Sequence, residues 1–189
     1  MSSGTHRRAL TAALIGTVLA VVAPATAVAA PAPDAAVAPT VRTLTYDATL
    51  SAEFRSAVDQ GAAVWNQSVV NVQLRPVTPG QRADIRVIAD NGWPRAIPTS
   101  LGKGTWYMGR QAVTQGYNTI RISSHEFGHL LGLPDRKPGP CSSLMSGSTG
   151  GVSCTNAYPN AGEKNEVEWY FRGLSRARGA VPAGVLIKD

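Results

Sequence analysis

Residues 124–135 read S-H-E-F-G-H-L-L-G-L-P-D, the densest run of reactive side chains in the sequence. His125 and His129 are four apart, so on a helix they stack one turn apart on a single face and can reach the same ion. Glu126 stands beside them without having to be a ligand, the place for a general base acting on water polarised by a metal. Gly132 can adopt the left-handed conformation that ends a helix, and Pro134 cannot continue one. Asp135 can then turn back towards the same ion. Two imidazoles and one carboxylate leave a fourth tetrahedral position for water, the open coordination of a catalytic zinc and not the closed set of a structural one.

A motif of this kind needs a helix, a stop and a scaffold, and the flanking sequence supplies them in a mixed α and β pattern. Segment 43–47 alternates Leu44 and Tyr46 and reads as a strand. Ser51 has the chemistry of an N-cap, with Glu53 in the first turn, and Phe54, Val58, Ala62 and Trp65 fall on one helical face. Strands follow at 71–75 and 83–89, where Val72 alternates with Leu74 and Ile85 with Val87. Gly and Pro make 91–104 read as a long loop before a strand at 105–108. The motif helix spans 120–131, and Asn160 with Glu163 forms a capping box for a last helix through Trp169 and Phe171.

The chain has 189 residues, 43% hydrophobic and 16% charged, with a net charge of +6 and three histidines. That composition excludes a disordered, collagenous or multi-span membrane protein. Two arginines followed by the apolar run from Ala9 to Val22 and then small residues read as a secretory signal peptide over 1–29. The run is too short for a membrane anchor, since a spanning helix needs roughly 20 apolar residues. Setting 1–29 aside leaves 16 Lys+Arg against 12 Asp+Glu, and it also removes His6, so both remaining histidines belong to the motif. The residual positive charge is scattered and not interleaved with aromatics, which argues against a nucleic-acid surface. Residues 30–42 are Ala/Pro-rich and read as a short pro-segment or linker, 43–175 as the domain, and 176–189 as a basic flexible tail.

The extended H-E-x-x-H-x-x-G-x-x-D pattern resembles the metzincin clan of zinc endopeptidases, and aspartate as third ligand resembles the snapalysin family within it. The likeness extends to G-P-C-S-S-L-M-S-G at 139–147, S-C-T-N-A-Y-P-N at 153–160 and the V-W-N-Q-S-V-V-N-V stretch near residue 70. It implies an α+β zincin fold, a small twisted mixed sheet packed on the active-site helix with a C-terminal helix. It also implies that His125, His129 and Asp135 ligate one zinc, that Glu126 is the catalytic base, and that Met145 lies in the turn beneath the metal. Met145 as a gap-filling core residue is compatible with that placement. Cys141 and Cys154 match the family's disulfide. Independently, two cysteines in an exported chain are best paired, and closing so short a loop is worth on the order of 3 kcal/mol; free thiols acting as metal ligands are the alternative.

The resemblance further implies a calcium site just before the zinc helix. Asn118 stands where that site has a carboxylate, with the Ile120 main chain beside it, a weakened donor set for a hard cation. Some metzincins place a tyrosine two residues after the turn methionine, but that position is Gly147 here, so Tyr158, Lys137 and main-chain donors remain candidates for the oxyanion. The expected activity is secreted hydrolysis of peptide bonds by a zinc-bound water, acting as a monomer on protein or peptide substrates in extended conformation. The implied preference is for an aromatic residue on the leaving-group side. The strand at 105–108 is expected to pair with substrate by edge addition, with Trp106 and Tyr107 either lining a pocket or packing in the core. Two other functions stay open, a secreted non-catalytic zinc-binding protein and a zinc hydrolase of a non-peptide substrate.

Overall fold

The computed structural model describes residues 41–172 and 187–188. The expected signal peptide, nearly all of the expected pro-segment and most of the expected tail lie outside the described residues. The elements run β1 (Arg42–Leu50), α1 (Arg55–Ser68), β2 (Val72–Pro76), β3 (Ile85–Asp90), β4 (Arg95–Ser100), β5 (Lys103–Gly109), α2 (Arg110–Thr114), α3 (Thr119–Leu130), α4 (Ala161–Phe171) and β6 (Ile187–Lys188). The sheet order is β2-β1-β3-β5-β4-β6. The first four strands in that order are mutually parallel, while β4 runs antiparallel to β5, and β6 antiparallel to β4. This is the α+β mixed sheet with a C-terminal helix that the resemblance implied. No helix among the described residues is long and apolar enough to cross a membrane.

Alternation turns one face of the sheet inward. Leu44, Tyr46, Val72, Leu74, Ile85, Val87, Trp106 and Met108 are all buried, and they pack with α1 and α3 in one core. Phe127 of α3 is the wedge, its ring edge-on to Tyr46 at 5.6 Å and to Trp106 at 5.4 Å. Behind α3, α1 contributes Val58, Ala62 and Trp65, and the turn before it Phe54, the face read from the sequence. The Trp65 indole donates to the Ser124 carbonyl at 2.8 Å, fixing the two helices in register just before the first histidine. At Gly61 the helices come so close that a Cβ would stand 2.6 Å from Ser123 Cβ and 2.9 Å from the α3 backbone.

Four local expectations change. The segment 91–104 is not one loop, because Arg95–Ser100 forms β4; its Pro98 pairs with Gly104, on a strand near the sheet edge where a missing N–H does little harm. The short helix α2 was not foreseen. Ser51 does not cap a helix with its side chain, since its buried hydroxyl donates to the Ala48 carbonyl and a 3-10 turn over Ala52–Phe54 precedes α1. The strand at 105–108 is interior, because β5 is paired with β3 on one side and β4 on the other and has no free edge for substrate.

Candidate active site

Asn118 starts the motif helix by accepting the Arg121 N–H at 2.9 Å. The helix stops through Gly132, which has φ 101°. Its N–H bonds the His129 carbonyl at 3.1 Å, and the Leu133 N–H bonds the Gly128 carbonyl at 3.0 Å, a Schellman closure. A Cβ at Gly132 would meet Leu101 at 3.0 Å and Tyr170 at 3.0 Å, so glycine is needed for space as well as for φ. The reversed chain returns Asp135 to the histidines.

The two imidazoles are aimed at one point. His125 Nδ1 lies 3.0 Å from the Leu144 carbonyl and His129 Nδ1 lies 2.8 Å from the Leu133 carbonyl. Carbonyls only accept, so each Nδ1 carries its proton and each Nε2 presents a lone pair. The two Nε2 atoms face each other at 3.0 Å, and Asp135 Oδ1 stands 3.4 and 3.5 Å from them. Three electron-rich atoms converge in a buried place where Asp135 Oδ1 makes no hydrogen bond. The ligand atoms of His125, His129 and Asp135 all lie within 4.8 Å of one another, and a cation resolves their mutual repulsion, so the donor set fits a metal ion. Burial pushes the His129 pKa down, which keeps the ring neutral and available. Asp135 Oδ2 is met by the Lys137 ammonium at 3.4 Å.

Glu126 is fully buried on α3 next to His125. Met145 is buried too and packs on the same helix; a Cβ at Gly128 would stand 2.7 Å from its sulfur. The loop carrying Met145 is held by residues that sequence reading saw in lesser roles. Glu163 completes the expected capping box with Asn160 and also accepts from Ser143 Oγ at 2.6 Å, Leu144 N at 3.2 Å and Met145 N at 2.9 Å. Arg121, buried, donates to Asn156 O at 2.6 Å, Ser143 O at 2.9 Å and Ser146 Oγ at 2.9 Å. Nothing in the sequence marked Arg121 beyond its place one turn before His125. Cys141 and Cys154 form a disulfide that closes the same loop.

Other candidates are placed apart from the motif. Tyr158 is half-exposed and donates to Gln67 Oε1 at 3.0 Å. Asn118 is occupied as a helix cap, and together with Ile120 it borders a cavity whose lining contains no carboxylate. Trp106 is core, while Tyr107 lies beneath the Arg95 guanidinium at 3.9 Å. A narrow cavity does open beside His125, lined by Trp93, Ala112, Tyr117, Ile122 and Gly147. Trp93 and Tyr117 meet edge-to-face at 5.7 Å. Trp93 lay in the segment read as loop and Tyr117 in one assigned to no element, where no periodicity singles out either residue. A larger cavity of about 540 Å³, bordered by Asp47, Arg82, Asp84, Arg86 and Lys103, includes none of the motif residues.

Residues 41–172 match the model of the Streptomyces extracellular neutral proteinase (M7) family. The extracellular small neutral protease of Streptomyces caespitosus is 42% identical over 126 residues, 66% of this chain and 93% of that protein. Those of Streptomyces coelicolor and Streptomyces lividans are 41% and 43% identical, over 74% and 71% of this chain. The chain spans 64% and 58% of the length of these last two relatives.

Proposed function

The chain belongs to the Streptomyces extracellular neutral proteinase (M7) family, and on that premise we propose that it is a secreted zinc endopeptidase. The reading is carried by the convergence of His125 Nε2, His129 Nε2 and Asp135 Oδ1 beside the buried Glu126. His125, His129 and Asp135 would hold the zinc, and nitrogen and oxygen donors of this kind suit it. Bound zinc supplies the Lewis acidity that makes water a nucleophile at neutral pH.

The remaining steps belong to the chain's own groups. Glu126 takes the proton from the attacking water and passes it to the leaving amine, a role worth typically 10²–10⁴-fold in rate. The Leu133 and Leu144 carbonyls keep both imidazoles in one tautomer throughout. Met145 gives the ligand helix a fixed floor, and Glu163 and Arg121 keep that floor in place. Extended substrate lies along the outer side of β4, the strand beyond the interior β5. The preference for an aromatic residue on the leaving-group side rests on the family resemblance, because beside His125 the rings of Trp93 and Tyr117 close on each other edge-to-face. Secretion is supported by the expected leader at 1–29 and by relatives named as extracellular.

Casein zymography with and without a chelator, alongside metal analysis, tests this reading. Clearing that disappears with chelator, returns with zinc and is absent in Glu126→Gln is the expected result. A protein that holds one zinc yet clears no substrate, or a Glu126→Gln variant that stays active, would overturn it and leave the zinc-binding or non-peptide hydrolase readings.

A further inference from the structure

The outer side of β4 already has an occupant. Ile187 and Lys188 form β6, which pairs antiparallel with Ala96 and Arg95. These two residues come from outside the segment that matches the family, which ends at residue 172. Along the rest of β4, Ile97 to Ser100 have no second strand partner among the described residues.

The occupied register is level with the chemistry. Ala96 pairs across β4 and β5 with Trp106, and Trp106 packs on Phe127, the residue following Glu126. The Arg95 guanidinium, bonded to Asp90 and lying over Tyr107, is near enough to Glu126 to feel its charge. An open strand edge binds any extended chain through main-chain groups, with little regard to side chains. A segment tethered in the same molecule competes at an effective concentration in the millimolar range. We propose that Ile187–Lys188 is an intramolecular occupant of the substrate edge, a strap that restrains the enzyme by competing with extended peptide at Arg95 and Ala96. This rests on the peptidase reading for its consequence, and on the β4–β6 pairing for its geometry.

The test uses the full chain and the same chain carrying Ile187→Pro with Lys188→Pro, which removes both main-chain donors from the strap. With a fluorogenic peptide substrate, the double variant should show a KM lower by about threefold or more with kcat unchanged, as relief of a competitor requires. A labelled synthetic peptide of residues 180–189 should also bind the double variant at least threefold more tightly than the unsubstituted chain. Equal KM values with equal peptide binding would overturn the proposal. Tighter binding to the double variant in a protein that cleaves nothing would uphold the strap and sink the peptidase reading instead.

Discussion

The Glu163 carboxylate accepts the Met145 main-chain N–H at 2.9 Å while capping the last helix through Asn160, so one buried side chain ties α4 to the loop that floors the ligand helix. That loop also offers the Leu144 carbonyl to His125 Nδ1. Stability and metal geometry therefore share a support. Glu163→Ala leaves three main-chain donors, those of Leu144, Met145 and Asn160, without their acceptor and should cost about 3 kcal/mol in urea unfolding, within the range for hydrogen bonds to a charged group. A change below about 0.5 kcal/mol would show that the loop is held by Arg121 and the disulfide alone.

Asp135 is the third of the proposed ligands and the one that reaches the histidines through the helix stop. Because its Oδ1 closes the set formed by the two Nε2 atoms, Asp135→Ala should lower zinc affinity by more than the 10–100-fold typical of changes one shell further out. Competition with a chromophoric chelator measures it directly. Zinc binding as tight as in the unsubstituted chain would remove Asp135 from the ligand set.

Gly61→Ala sets two effects against each other. Alanine is favoured in a helix interior by about 1 kcal/mol, but here its methyl meets the α3 backbone at 2.9 Å, and overpacking of that kind costs about 1–3 kcal/mol. The clash should win, with a net loss of about 1 kcal/mol and weaker zinc binding as α3 is pushed away. A variant more stable than the parent would mean that α1 and α3 can separate freely.

Glu53 and Arg110 make a two-pronged pair across the molecule, at 2.6 and 2.7 Å. The hydrogen bonds from Arg110 lower the Glu53 pKa from 4.5 to about 2. Since the folded value is depressed, the pair's contribution is complete above about pH 4.5 and is lost as pH falls towards 2. The Tm difference between the parent and Glu53→Gln should therefore be constant above pH 4.5 and shrink to nothing near pH 2. A difference that persists at pH 2 would assign it to packing and not to charge.

The sequence by itself determined the parts whose physics is local. Four-residue spacing put His125 and His129 on one face, Gly132 and Pro134 fixed the helix stop, Asn160 and Glu163 announced a cap, and alternation gave β1, β2 and β3. The disulfide partners followed from there being two cysteines. Tertiary structure alone decided whatever depends on which segments become neighbours. The strand β4 was hidden because Pro94, Pro98 and the glycines on either side of it imitate a loop, and a strand near the margin of a sheet tolerates a proline. For the same reason the sequence did not show that β5 is paired on both sides, which puts the proposed substrate edge on β4. Arg121 and the second role of Glu163 were equally invisible, since a charged residue on a helix is read as solvated until its fold buries it against carbonyls or amides that must be satisfied.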